Sequence, residues 1–458
     1  MEKLSYGNTH EYQTGMNPTA IEGHLRMVLW QWMVIIALAW LFGRLARRAG
    51  QPPVVGEIAA GLLLGPSVLG AVWPGGFSAL FPLEAQQSLQ LLGKIGLILL
   101  LFQVGMEFDF SRLHRGTRTV TAVSVMGLLV PFLGGLAIGP WLHDEFAPRV
   151  PALGFQLFVS IALCITAMPV MGRILLDLKL ERTAVGALGI GAAAIDDVAG
   201  WILLAGTISI VTSGFDGWAV LIQAVGVWVL FLVLKQLVGP WLRAVWRRHQ
   251  HAGEGRRMPA GFLAVLLVVL FGAALTTHAL GVFSIFGAFL LGVALHQERS
   301  LVRAWRETSA EFVRVALVPI FFTYTGLRAE VGSLSSTVAW VGCAVVLAAA
   351  VAGKLGGCYL GARLSGQSGR DSACIAALMN TRGLMGLVAI NVGADLGLLP
   401  REVFTMFVIM ALATTAMTSP LLRLWLPAES GAGVPGISPG RTPAPRRAEV
   451  SPQAAGAE

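Results

Sequence analysis

Two adjacent acidic residues, Asp196 and Asp197, interrupt the apolar stretch GAAAIDDVAGW that runs from Gly191 to Trp201. A charged side chain at the centre of a membrane helix costs roughly 2.5–3.5 kcal/mol on insertion scales, so it normally finds a partner or lines a cavity. Successive helical residues point about 100° apart, and the two carboxylates therefore face different directions. We predict that one acid holds a partner while the other faces water or an ion. The alternative is a pair of acids placed at a helix end.

A lysine in the second half of the chain, Lys354, stands within the apolar segment AGKLGG at a predicted depth close to that of the two acids. Opposite charges a few ångströms apart favour the charged form of both groups. We therefore predict that Lys354 forms an ion pair with Asp196 or Asp197. The alternative is that its flexible side chain carries the amine out to the cytoplasmic surface.

Two stretches interrupt the apolar segments in which they lie, ITAMPV at Ile165–Val170 and MNTRGLMG at Met379–Gly386. Proline removes a backbone hydrogen bond, and unwound backbone at membrane depth survives only where it lines a cavity or packs within protein. Paired interruptions in the two halves of a chain point to the ion site of a secondary transporter. For the proline alone, a simple kink is an equal alternative.

The composition indicates a membrane protein with many spans. Of the 458 residues, 55% are hydrophobic and only 13% are charged, with a mean hydropathy of +0.72, whereas soluble domains carry about 25% charged residues. The net charge of +8 does not indicate a nucleic-acid partner, because the basic residues stand in short loops between apolar blocks. The cysteines lie within apolar blocks and lack CxxC spacing, so we expect neither a disulfide framework nor a structural metal site.

The apolar blocks predict an all-α polytopic membrane protein with about thirteen transmembrane helices. Their predicted ranges are 27–45, 54–73, 89–106, 119–141, 153–176, 185–212, 217–238, 261–280, 282–296, 312–328, 337–362, 373–395 and 403–425. Arginine-rich loops, such as Arg243–Arg257, alternate with loops that are poor in net positive charge, such as the one holding Asp216. By the positive-inside rule, this alternation places the N-terminus outside and the C-terminus in the cytoplasm.

The two ends of the chain are polar. Residues 1–26 predict an extracellular tail without the apolar region of a cleaved signal peptide. The transmembrane domain is predicted at 27–426. Residues 427–458 are rich in proline and glycine, which predicts a disordered cytoplasmic tail, and we expect no nucleotide-binding domain there.

Four stretches together resemble the cation:proton antiporter superfamily, in particular its second branch of monovalent cation/H⁺ exchangers, which includes sodium/proton antiporters. They are Gly56–Gly70 (GEIAAGLLLGPSVLG), Ile165–Ala205 around the two acids, Pro319–Val331 (PIFFTYTGLRAEV) and Met379–Leu399 (MNTRGLMGLVAINVGADLGLL). They are spread over most of residues 50–425, and together they are specific.

The resemblance implies an elevator-type antiporter fold with inverted repeats and two broken, crossing helices beside the ion site. A core at about 119–212 and 337–425 would move against a scaffold that forms a homodimer. It also implies that Asp197 binds the cation and the proton in turn, and that Asp196 pairs with Lys354. The ion-binding residue Thr166 lies in the first crossover segment. The crossover residues are Thr166, Ala167, Met168 and Pro169 in the first half and Asn380, Thr381, Arg382 and Gly383 in the second.

These observations predict a secondary active transporter of a cell membrane, a bacterial inner membrane, that exchanges Na⁺ or K⁺ for H⁺. We expect no enzymatic activity and no cofactor, because the proton gradient supplies the energy; the only metal is the transported cation at Asp197. The alternatives are an exporter of a small organic cation or antibiotic on the same scaffold, or a non-transporting membrane sensor. An intramembrane aspartyl protease fits poorly, because its two carboxylates must face one water from separate helices.

Overall fold

The computed structural model describes residues 18–107, 117–178, 180, 183–212, 217–251 and 258–425. Within these ranges all regular secondary structure is helical. A helix satisfies its own backbone hydrogen bonds, which is what long apolar segments require in a bilayer.

The α-helices are numbered α1 to α19 in chain order. They are α1 (Pro18–Arg48), α2 (Pro53–Leu64), α3 (Leu69–Val72), α4 (Pro74–Leu80), α5 (Leu83–Glu107), α6 (Thr117–Phe146), α7 (Ala152–Cys164), α8 (Met168–Asp177), α9 (Ala184–Thr212), α10 (Gly217–Val233), α11 (Gly239–His251), α12 (Ala260–Ala279), α13 (Ser284–Leu295), α14 (Arg299–Trp305), α15 (Val318–Arg328), α16 (Thr337–Leu364), α17 (Gly369–Met379), α18 (Leu384–Asp395) and α19 (Arg401–Trp425). Short π-helical turns join α10 to α11, continue α14 and precede α15.

Nine helical segments of the described ranges are long and apolar enough to cross a membrane. They comprise α1, α2 with α3, α5, α6, α9, α10 with α11, α12, α16 and α19. The segment from α14 to α15 meets the same criteria as a bent pair, with a bend of 44°, while α7, α13 and α18 are shorter apolar helices. The all-helical, multi-pass architecture is confirmed, and the count of thirteen spans stays a prediction.

Two of the predicted spans are each built from two half-helices. The range 153–176 contains α7 and α8, separated by non-helical backbone at Ile165–Ala167, and the range 373–395 contains α17 and α18, separated at Asn380–Gly383. Both breaks fall within the interruptions that the sequence predicted.

The first helix begins earlier in the chain than the sequence predicted. Helix α1 begins at Pro18, within the segment that the sequence assigned to a polar tail, because Glu22, His24 and Arg26 are compatible with a helix that extends beyond the apolar layer. Residues 1–17 and the tail predicted at 427–458 lie outside the described residues.

The helices pack in two groups. One group, called the core group below, consists of α6, α7, α8, α9, α16, α17, α18 and α19, with α6 lying along α16. The other, called the scaffold group, contains α1, α2, α5, α12, α13 and α15. The groups meet where α2 and α15 contact α19, and α10 packs against both α9 and α13. Both broken helix pairs therefore belong to the same group.

The close packing of α6 on α16 depends on three glycines of α16 that lie one turn apart, Gly353, Gly357 and Gly361. A Cβ atom on Gly357 would lie 2.4 Å from the carbonyl oxygen of Met126, and one on Gly361 would lie 2.5 Å from that of Ala122. Small residues at four-residue spacing let membrane helices approach closely. This contact brings the side of α16 that bears Lys354 into the middle of the core group.

Candidate ion-binding site

The two acids lie near the middle of the 29-residue helix α9. Small buried residues precede them, including Gly191 and Ala192, and these allow neighbouring helices to approach the backbone. The exposed fraction is 0% for Asp196 and 1% for Asp197. Both carboxylates are therefore removed from water by protein that packs around α9.

Every oxygen of Asp196 has a partner. The Lys354 amine donates to Oδ2 at 2.6 Å, and the Ser124 hydroxyl of α6 donates to Oδ1 at 2.6 Å. The Thr166 hydroxyl lies 2.9 Å from Oδ2. Lys354 is itself fully buried. The pairing of Lys354 with one of the two acids, expected from the sequence, is thus present, and the charge of Asp196 is compensated within the protein.

Asp197 has the opposite environment. Neither of its carboxylate oxygens has a hydrogen-bond partner among the described residues. The backbone N–H of Met168, at the beginning of α8, is the polar group that faces it. A buried carboxylate is costly in the charged form unless a proton, a cation or hydrogen-bond donors neutralise it. The helix start at Met168 adds a partial positive charge on that side, but Asp197 keeps its oxygens available for a small ligand.

The two breaks lie against each other beside the acids. The Ala167 N–H donates to the Thr381 carbonyl oxygen at 3.0 Å. The Thr166 hydroxyl lies 3.1 Å from the Met379 carbonyl oxygen as well as close to Asp196. Its single proton serves one acceptor at a time. The crossover segments therefore satisfy part of each other's unwound backbone and connect it to the acid pair.

Arg382 closes the end of α7. Its guanidinium donates to the carbonyl oxygens of Ala162, at 2.5 Å, and of Leu163, with Ile165 at 3.5 Å. The last carbonyls of a helix have no partner within the helix, and a cation at this end also interacts favourably with the helix dipole. Arg382, which lies in the second break, thus binds the backbone of the first break. This contact is structural, and Arg382 forms no hydrogen bond with either acid.

The remaining crossover residues are also buried. Gly383 lies against Val170 and Ala167, and the Thr381 hydroxyl donates to the Leu378 carbonyl oxygen at 2.7 Å. The Asn380 carboxamide is completely buried, and neither its oxygen nor its nitrogen has a partner among the described residues. The side chain of Pro169 lies outside the described part of the chain.

The sequence reasoning missed two residues of this site. Ser124 lies in the predicted span 119–141 and supplies one of the donors to Asp196. Thr415 of α19 accepts from the Arg382 N–H at 3.2 Å and donates to its carbonyl oxygen at 2.5 Å. A single serine or threonine in an apolar span carries little signal, because such hydroxyls often bond to their own helix.

The site defines a class of membrane protein. It combines a paired acid, an unpaired acid and two contacting helix breaks, all buried among membrane helices. They are the features of secondary transporters whose interrupted helices surround an ion site.

Comparisons with known proteins agree with this class. A family model described as "Sodium/hydrogen exchanger, transmembrane" matches residues 33–424. The Na(+)/H(+) antiporter NhaS4 of a Synechocystis strain is 37% identical over 407 residues, covering 88% of this chain and 98% of that protein. The Na(+)/H(+)-K(+) antiporter GerN of Bacillus cereus is 29% identical, covering 85% of this chain and 94% of that protein. Cation/H(+) antiporter 19 of Arabidopsis thaliana is 32% identical, but this chain spans only about half of its length.

The chain belongs to the sodium/hydrogen exchanger family, and the resemblance to monovalent cation:proton antiporters is confirmed. Among solved structures, the sodium proton antiporter MjNhaP1 of Methanocaldococcus jannaschii at pH 8 has a TM-score of 0.62 at 17% identity, covering 88% of this chain and 97% of that one. At this identity the likeness concerns the fold alone. It supports an antiporter-like arrangement of helices in this protein.

Proposed function

We propose that this protein is a secondary active transporter that exchanges a monovalent cation for H⁺, with Asp197 carrying the two ions in turn. The observation that carries the proposal is the contrast between neighbouring acids. Three polar side chains lie within hydrogen-bond distance of Asp196, whereas no side chain of the described residues bonds to either oxygen of the buried Asp197. The carboxylate of Asp196 is held in place by its partners, and that of Asp197 is available to bind and release an ion.

Exchange follows from competition at that carboxylate. A proton and a cation both neutralise Asp197, and binding of one removes the charge that attracts the other. When the loaded site is exposed to the two sides alternately, one ion crosses in each direction. The beginning of α8 at Met168 faces Asp197, and the Thr166 hydroxyl of the same break contacts Asp196. No nucleotide and no bound cofactor enter this cycle.

We infer that the core group moves against the scaffold group in an elevator-like manner. The two breaks and both acids belong to the core group, so the site would travel as a unit. In the proposed arrangement, thirteen spans cross a cell membrane with the N-terminus outside and the C-terminus in the cytoplasm. Two copies would associate through the scaffold group. The alternation of arginine-rich loops supports this orientation.

The cation is proposed to be Na⁺, with K⁺ as the second cargo. The two relatives that this chain covers almost completely, NhaS4 and GerN, both have Na(+)/H(+) exchange in their names, and the name of GerN adds K(+). Nothing in the described site favours a larger organic cation.

The test is exchange by the purified protein in vesicles that hold a pH-sensitive dye and an imposed proton gradient. Addition of Na⁺, Li⁺, K⁺ or Rb⁺ reports which cation releases protons. We expect release with Na⁺ for the native protein and a rate at the level of protein-free vesicles for Asp197→Asn.

The matched control is Asp144→Asn, which makes the same substitution at an acid whose side chain is 83% exposed. We expect this variant to exchange at the native rate. Native exchange in Asp197→Asn would remove Asp197 from the role of carrier.

A further inference from the structure

A cavity of about 510 Å³ lies between the core and scaffold groups, on the side that the proposed orientation places outside. Helix α5 contributes Gln90 and Lys94 to its wall, and α18 contributes Asp395. The last turns of α9 contribute Ile208 and Thr212. The cavity thus borders the C-terminal end of α9, and Asp197 lies nearer the middle of the same helix.

The path from this cavity to Asp197 is closed by apolar side chains. Thr212, Ile208, Leu204, Trp201 and Asp197 are spaced by four, four, three and four residues, which places them on one face of α9. The cavity wall reaches Ile208, whereas Leu204 and Trp201 are buried below it, with exposed fractions of 1% and 2%. Two layers of apolar side chain therefore separate the cavity from the ion site.

Trp201 makes the lower layer by contacting the scaffold group. Its ring packs edge-on against Phe286 of α13, with 5.1 Å between ring centroids, and its centroid lies 6.1 Å from that of Phe289. The indole N–H has no partner among the described residues. The indole thus closes the path without hydrogen bonds that would hold it there.

An ionic contact, called the Asp395 cluster, lies at the cavity wall, outside the two apolar layers. Asp395 ends α18 in the core group and accepts from three scaffold side chains: Lys94 at 3.0 Å, Arg328 at 2.6 Å and Gln90 at 3.2 Å. The side chain of Asp395 is 17% exposed and that of Arg328 is 24% exposed, while Lys94 is 47% exposed. One turn earlier in α18, the Asn391 amide donates to Thr325 of α15 at 2.8 Å. These contacts join the two groups.

We propose that the Asp395 cluster and the buried side chains of Leu204 and Trp201 form the outer gate of the ion path, with the Asp395 cluster as its latch and Trp201 as its plug. The proposal rests on the proposed exchange, in which Asp197 faces the two sides in turn. The structure holds the gate closed. To face the outside, the core group must separate Asp395 from Lys94 and Arg328 and draw Trp201 away from Phe286 and Phe289.

Substitutions in the Asp395 cluster are expected to open the gate to different extents. Asp395 pairs with two cations, so Asp395→Asn weakens both ion pairs and leaves Lys94 and Arg328 without their shared counter-charge. Lys94→Met leaves the less exposed Arg328–Asp395 pair in place, so it opens the gate less. Partly buried ion pairs are screened less by solvent than exposed ones.

The experiment measures how readily a reagent added outside reaches position 204, in the buried layer above Trp201. A cysteine at Leu204 reacts with a membrane-impermeant maleimide from outside only when the gate is open, and the four native cysteines are buried. We expect Asp395→Asn to raise the labelling rate of Leu204→Cys by about tenfold, which corresponds to a tenfold shift in the open population. Lys94→Met is expected to raise it by less. Thr212→Cys, on the cavity wall, is labelled at a similar rate in all backgrounds.

The matched control is Arg401→Gln, which removes an ion pair with Glu330 that also links α19 to the scaffold side but whose arginine is 68% exposed. We expect no change in the labelling of Leu204→Cys in that background. Equal labelling with and without Asp395→Asn, or labelling from the cytoplasmic side alone, overturns the outer gate. Exchange is measured in the same preparations, so loss of the proposed function is recognised separately from failure of the gate.

Trp201→Ala tests the plug independently in the otherwise native chain. Removal of the indole is expected to let vesicles lose an imposed pH gradient without added cation, at a rate above that of the native protein. If Trp201→Ala exchanges cations at the native rate and its vesicles keep the imposed pH gradient as long as native ones, Trp201 is not the plug.

Discussion

At the scale of single residues, one step along the chain separates two carboxylates with different chemistry. The rotation of about 100° per helical residue turns Asp196 towards Lys354, Ser124 and Thr166, while Asp197 forms a hydrogen bond with none of the three. A buried charge is tolerated where an opposite charge and hydrogen bonds compensate it. Asp196 satisfies both conditions within the protein, whereas neither oxygen of Asp197 has a hydrogen-bond partner among the described residues.

This difference predicts how the acid pair responds to substitution. Asp196→Asn keeps the size of the side chain but leaves Lys354 buried without its counter-charge, and breaking a buried ion pair on one side costs about 3–5 kcal/mol. We expect a clear fall in the thermal unfolding temperature of the purified protein in detergent. The double variant Asp196→Asn/Lys354→Gln is expected to recover most of the loss, because no charge is then left alone. A double variant less stable than Asp196→Asn would contradict the pairing as the source of stability.

The residue scale also shows where the sequence was informative. The two acids, Lys354 and the polar run at Asn380–Gly383 stood out, because charges are rare in apolar segments and costly in a membrane. Ser124 and Thr415 did not stand out, because a hydroxyl in a membrane helix has little cost. The role of Arg382 was open in the sequence. Its contacts with the end of α7 depend on a second helix break more than 200 residues away, as the separation of 220 residues from Ala162 shows.

At the scale of elements, the breaks were predictable but their mutual contact was not. Pro169 and the glycines around Arg382 marked where helices end, because these residues interrupt helical hydrogen bonding. The bond from Ala167 to Thr381 and the cap by Arg382 are tertiary contacts. They follow from how α7 and α17 are placed by α6, α16 and α19, which no local pattern encodes.

The contact of α6 with α16 sets the position of Lys354 and gives a prediction at this scale. In Gly357→Ala the new Cβ would lie 2.4 Å from the Met126 carbonyl oxygen, so the two helices must separate. We expect a loss of about 1–3 kcal/mol in stability, the usual range for overpacking, together with slower cation exchange. Unfolding temperature and dye-reported exchange measure the two effects.

The control for this variant is the neighbouring residue. Gly356 is exposed, and a Cβ there would meet no atom of a neighbouring helix within 4 Å, so Gly356→Ala adds the same methyl group outside the contact. We expect it to keep both native stability and native exchange. Equal effects of the two substitutions would show that helix approach is not what the glycine provides.

At the scale of the whole molecule, the two groups of helices meet at ion pairs and ring contacts between side chains. The Asp395 cluster and the Trp201 contact are built from side chains of both groups, whereas the acid pair and the two breaks lie within one group. A transporter of this kind needs a site that keeps its geometry while its surroundings change. The distribution of contacts supports motion between the groups more than motion within the core group.

The same arrangement leads to a prediction about charge movement. A cation on Asp197 brings a positive charge close to Lys354, whose hydrogen-bond partner among the described residues is Asp196. If Lys354 gives up a proton while Asp197 gives up its own, two protons move against one cation, and one positive charge crosses with the protons. We therefore expect a voltage that is negative on the side receiving protons to accelerate exchange by the native protein. Lys354→Gln is expected to lose this response while it retains any exchange that Asp197 supports. The response to voltage is measured as cation uptake by vesicles in which a potential is imposed without potassium. Equal uptake rates with and without the voltage in the native protein would show that Lys354 keeps its proton throughout the cycle.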